Sequence, residues 1–91
     1  MKTVRLDFRN INTKLEAHEY IAASLGFPGY YGKNLDALYD CLTEFCRDTL
    51  IVLRFSSVLK ERLGDYGADL LGTFSDAEKA SASLSVVITE L

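Results

Sequence analysis

The chain has 91 residues, with ten lysines and arginines against thirteen aspartates and glutamates, for a net charge of −3. A chain this short makes a single domain, here residues 1–91, and buries about 60–65% of the surface it exposes when unfolded. Its 48% hydrophobic and 25% charged residues are ordinary for a globular protein. One proline and six glycines exclude a disordered or collagen-like chain, and the longest apolar stretch, Leu50 to Leu53, is too short for a membrane span.

The N-terminus, MKTVRLDF, lacks the apolar run of a secretory signal. Val4, Leu6 and Phe8 alternate with polar residues, which predicts a strand over 3–8 at a sheet edge. Residues 13–25 take helical spacing through Leu15, His18, Ile21, Ala22 and Leu25. Thr13 and Glu16 fit a capping box there, and Gly26 fits the stop. The segment GFPGYYGK, 26–33, is a loop by its three glycines and the only proline, yet it carries Phe27, Tyr30 and Tyr31. Asn34 can cap a helix over 35–46 whose inner stripe is Leu35, Leu38, Leu42 and Phe45. The nearly continuous apolar run LIVLRF, 50–55, predicts a central strand covered on both faces. A short helix from Ser56–Ser57 to Gly64 follows. A longer one over about 67–80 comes next, with Leu70, Leu71, Phe74 and Ala77 inward, and then a strand over 84–89. The order predicts a small α/β domain: a three-stranded parallel sheet with about four helices.

Charge is unevenly spread. Residues 34–48 hold Asp36, Asp40, Glu44 and Asp48 against Arg47 alone; residues 65–80 hold Asp65, Asp69, Asp76 and Glu78 against Lys79 alone. Two acidic segments on a mildly basic remainder speak against direct nucleic-acid binding and suit a basic partner. The plainer alternative is that acid keeps these helices soluble. Cys41 and Cys46 are five apart in a helix, turned about 140° from each other, so no bridge is expected between them. Free thiols point to a reducing cytoplasm.

Asp36, Asp40 and Glu44, at i, i+4 and i+8, line one helix face opposite the apolar stripe. Like charges so placed repel by about 0.2–0.5 kcal/mol per pair. Asp36 gains from the helix dipole in the first turn, but Glu44 loses in the last. Stability therefore leaves Asp40 and Glu44 unexplained. With Tyr30, Tyr31 and Tyr39 nearby, the row suits a surface for a cationic partner; the competing reading for each ring is burial with its hydroxyl at the rim. General acid–base work needs a cleft and unequal environments, which an exposed helix face does not provide. His18 reads as a satisfied histidine at the core edge, and Cys41 as a buried thiol. No phosphate loop or metal-ligand spacing is present, so no metal, no cofactor and no catalytic residue is expected.

The stretch Tyr30-Tyr31-Gly32-Lys33-Asn34-Leu35-Asp36-Ala37-Leu38-Tyr39-Asp40-Cys41-Leu42-Thr43 resembles the barstar family, intracellular inhibitors of small secreted bacterial ribonucleases. The pattern YYGxNLDALxDCLT is long and specific, and the likeness extends over the chain in element order and length. The resemblance implies a non-enzymatic protein whose helix and preceding loop plug a cationic ribonuclease cleft, one to one, from an otherwise monomeric state. It also implies partner contacts at Tyr30, Asn34, Asp36, Asp40 and Thr43, with Asp76 on the last helix. Tyr39 and Phe45 stand where the family has tryptophan, Glu44 where it has glycine, and Ala80 where it has an acid. These departures keep a second expectation open: the same fold used as a binding module for a different basic protein.

Overall fold

In the computed structural model, which describes residues 1–91, the alternating N-terminal segment forms strand β1 (Lys2–Asp7). Two helices follow, α1 (Lys14–Leu25) and α2 (Leu35–Phe45), then β2 (Thr49–Arg54). A second pair, α3 (Ser56–Leu63) and α4 (Asp65–Ala80), leads to β3 (Leu84–Ile88). The strands are all parallel in the order β1-β2-β3, so β2 is central and β1 is at an edge, as predicted.

Local chemistry explains the helix boundaries. Thr13 accepts the Glu16 backbone N–H at 3.1 Å, and the Glu16 carboxylate reaches back to the N–H of Asn12 at 2.9 Å. That is a capping box displaced by one residue. Gly26, at φ +70°, closes α1 in the left-handed conformation. Asn34 caps α2 by accepting the Ala37 N–H at 2.8 Å.

The register sets Val4 beside Ile51, Leu6 beside Leu53 and Ile51 beside Val86, giving one apolar sheet face. Against it lie Ile21 of α1, Leu38 and Leu42 of α2, Leu59 of α3, and Leu70 and Phe74 of α4, all fully buried in one cluster. Each such side chain contributes about 1.5–3 kcal/mol through burial. Both outer strands have an edge N–H occupied by the chain itself. Val86 of β3 donates to the Glu78 carboxylate at 2.7 Å, and Asp7 of β1 donates to the Tyr20 hydroxyl at 2.8 Å.

The second face of the sheet corrects the expectation for β2. None of Thr3, Arg5, Asp7, Leu50, Val52, Arg54, Ser85 and Val87 is buried, so the helices all pack on one side. The apolar run marks a strand flanked on both edges, where neighbouring side chains half-cover Leu50 and Val52. Boundaries shift for similar local reasons. Phe55 takes a left-handed φ of +58° between β2 and α3, which ends the strand at Arg54. Gly64, at φ +60°, separates α3 from α4, which begins at Asp65 ahead of the expected 67.

Gly67 therefore lies inside α4, where a Cβ would stand 2.7 Å from the carbonyl oxygen of Leu59. At an open helical position Gly→Ala gains about 1 kcal/mol. Here the clash with fixed backbone dominates, and Gly67→Ala is expected to cost about 1–3 kcal/mol in urea denaturation. An unchanged or higher midpoint would contradict the close α3–α4 approach.

Candidate functional site

Leu38 and Leu42 are fully buried, and Cys41 beside them is nearly so. The helical period then turns Asp36, Asp40 and Glu44 outward, and all three are exposed. No cation of the chain pairs with them. The ion pairs formed are the Met1 ammonium with Asp48 (3.6 Å), Arg9 with Asp7 (2.6 Å) and Lys33 with Glu19 (3.8 Å). Lys33, the nearest basic residue ahead of α2, adopts a left-handed φ of +54° and reaches back to α1. The row thus stands in solvent without an internal counterion.

The loop before α2 is held at three points. Tyr31 is buried, its ring 5.1 Å from that of Phe27. Its hydroxyl lies 2.6 Å from His18 Nδ1, and the other ring nitrogen of His18 is 2.6 Å from the Tyr66 hydroxyl of α4. Asn34 donates to the Gly32 carbonyl at 3.3 Å while capping α2, which ties the loop to the helix. Tyr30 is left 80% exposed. Between this loop and α2 runs a groove of about 190 Å³, with Tyr30 and Gly32 on one side, Ala37, Cys41 and Phe45 on the other, and Asp40 and Glu44 on its wall. A wider hollow of about 290 Å³ on the far side of the loop holds the already paired Glu19 and Lys33. It offers a ligand no free charge, so the smaller groove is the better candidate.

Of the residues singled out from sequence, the structure gathers Tyr30, Asp40 and Glu44 at the groove. Asp36 is exposed one turn earlier on the same face, and Asp76 is exposed on the adjoining α4. Tyr39 is half-buried against the core. Thr43 spends its hydroxyl proton within α2, on the carbonyls of Tyr39 (3.0 Å) and Asp40 (3.1 Å), and can offer a partner only lone pairs. Phe45 departs from its expected place in the inner stripe. It is 45% exposed, because α2 ends there and Cys46 takes the core position. The bonding of Tyr66 to His18 had no signal in the sequence.

Burial shifts the interior groups. It lowers the pKa of His18 below the usual 6.5 and raises those of Tyr31 and Tyr66 above the ordinary phenol value. The Cys41 thiol is raised by burial and then by Glu44 and Asp40; Cys46 is pushed up to about 11, chiefly by burial. Both cysteines are free, and such thiols are poor nucleophiles at neutral pH. No three His, Cys, Asp or Glu side chains gather closely enough to hold a metal ion, and no helix is long and apolar enough to cross a membrane. The arrangement is an anionic, aromatic-edged surface suited to a cationic protein.

Residues 1–89 match the family model described as Barstar (barnase inhibitor). The chain is also similar to the Bacillus subtilis (strain 168) protein named "Putative ribonuclease inhibitor YrdF", with 35% identity over 80 residues, covering 87% of this chain and 88% of that protein. The chain belongs to the barstar family, a family of inhibitor proteins.

An unpaired carboxylate row costs the free protein stability. Replacing Glu44 with Gln removes one i, i+4 repulsion and an unfavourable charge in the last turn of α2, and is expected to stabilise the free chain by about 0.5 kcal/mol in urea denaturation. A loss of stability would mean that Glu44 has an attractive partner in the fold.

Proposed function

We propose that this chain is a cytoplasmic inhibitor of a small secreted ribonuclease, binding it one to one and occluding its cationic cleft with α2 and the loop before it. The observation that carries this reading is the row Asp36, Asp40 and Glu44, exposed and without internal counterions beside a bare Tyr30. Membership of the barstar family supports it, as does the name of the Bacillus subtilis relative. A nuclease cleft is cationic because it holds phosphate. Carboxylates on a rigid helix substitute for those phosphates through charge-assisted hydrogen bonds to arginine, lysine or histidine.

In this reading Asp40, at the groove, is the central anion and Asp36 flanks it. Glu44 extends the row, and Tyr30 and Tyr39 supply aromatic area. Asn34 fixes the loop to α2, Thr43 accepts hydrogen bonds, and Asp76 meets the partner from α4. No substrate is turned over, and no cofactor is called for. Two free buried thiols suit a reducing compartment.

A second reading, the same fold directed at a different basic protein, is favoured by one observation. Glu44 and the half-exposed Phe45 both line the groove, so a fitting partner must bring an additional cation and an apolar group there.

Inhibition and binding kinetics with a panel of small secreted ribonucleases, barnase included, test the proposal. Asp40→Ala is expected to raise the dissociation rate on the order of a hundredfold or more, as when one member of a desolvated charge pair is truncated. Asp48→Ala, at the far end beside the N-terminus, is expected to change it less than about twofold, as for a rim charge. Association should slow as salt is added. If Asp40→Ala leaves inhibition intact, the central role given to Asp40 is wrong. If no ribonuclease in the panel binds while another basic protein does, the second reading stands.

A further inference from the structure

Three segments meet at one buried imidazole. α1 supplies His18, the loop supplies Tyr31 and α4 supplies Tyr66, with each ring nitrogen 2.6 Å from one hydroxyl. A neutral imidazole has one N–H and one lone pair, so the two tyrosines must play opposite parts. Tyr31 is buried and its hydroxyl has no other partner, so its proton goes to Nδ1. Nε2–H then donates to Tyr66, which is only half-buried and can direct its own proton to water. This assignment leaves no buried donor orphaned.

A second proton on the ring breaks that arrangement. Nδ1–H would face the Tyr31 oxygen, and the Tyr31 proton would have to turn into an interior that gives it no acceptor. The surroundings do not welcome the added charge. On α1, Lys14 places another cation 4.6 Å from the centre of the Tyr66 ring, and Glu19 is exposed and paired with Lys33. From α2 the neighbour of Tyr31 is Cys41, whose buried thiol stays neutral. On α4 the carboxylates near Tyr66, Asp65 and Asp69, are exposed, and no carboxylate is hydrogen-bonded to His18. Burial accordingly depresses the His18 pKa, so the proton is excluded from the folded form at neutral pH and enters only below the usual 6.5.

We propose that His18 and Tyr66 are positioning residues for the loop of residues 27–34, and that a proton on His18 unclasps Tyr31 and frees that loop. The consequence for binding rests on the reading of Tyr30 and the groove as partner contacts: the inhibitor is competent with His18 neutral and weakens in acid. The sign follows from linkage. A group that is harder to protonate in the folded, clasped form stabilises that form above about pH 6.5 and loses this contribution as pH falls below it.

The test uses the isotope-labelled full chain, free in solution, followed by NMR from pH 8 to pH 5. The His18 ring signal should titrate with a midpoint below 6.5. The backbone amides of Tyr30 and Gly32 should move with the same midpoint, while those of Ile51 and Leu53 in β2 stay in place. In Tyr31→Phe the histidine should still titrate but the loop amides should no longer follow it. Should that variant fail to fold, His18→Gln, which cannot take the proton, should abolish the loop midpoint. Loop amides indifferent to His18, or following it equally well in Tyr31→Phe, overturn the proposal. So does a collapse of the β2 amides in the same step, which would mark global unfolding. Binding to whichever ribonuclease of the panel, barnase first, the wild-type chain inhibits, compared at pH 7.5 and 5.5 for wild type and His18→Gln, separates the two claims. A loop that follows His18 without altering affinity supports the clasp and removes the loop from the interface.

Discussion

The packing of Leu38 and Leu42 under α2 governs what the molecule presents to the outside. These two side chains are fully buried against the sheet and α4, which fixes the rotation of the helix about its own axis. With 3.6 residues per turn, no freedom then remains for Asp36, Asp40 and Glu44, which must project into solvent. The apolar interior thus positions the charged exterior, and core contacts that never touch a partner set the direction in which carboxylates point.

The second constraint is electrostatic. A surface row of acids is useful to a cationic partner only if the chain does not neutralise it. The backbone at Lys33 takes a conformation uncommon for a side chain with a Cβ and delivers its ammonium to Glu19 on α1, away from α2. The other ion pairs engage Asp7 and Asp48, neither of which belongs to the row. The free molecule bears the resulting repulsion, which is small because water screens it.

Much of this architecture was legible in the chain because it is announced locally. Thr13, Gly26 and Asn34 cap or stop helices where their chemistry says they should, and the period of α4 names its buried residues correctly, whereas Leu15 of α1 shares the helical spacing of the buried His18, Ile21 and Leu25 but lies 54% exposed in the first turn. The outward turn of the acidic row followed from the same periodicity. What escaped depended on distant contacts or on where layers end. Continuous apolarity in β2 could not tell a strand covered on both faces from one merely central in a single-sided sheet. Phe45 has the spacing of a core residue but lies where the helix stops. The partners of His18 lie 13 and 48 residues away, a separation at which no local pattern speaks.

The single-sided layering has a further consequence. Carboxylates of α2 and α4 occupy the outside of the helical layer, while the uncovered side of the sheet carries Arg5 and Arg54. Asp7 on that open side is already neutralised by Arg9, so the two sides of the molecule present different chemistry to an approaching charge. A positively charged neighbour is attracted before contact by the uncompensated row on α2 and finds no such free anion on the open side of the sheet.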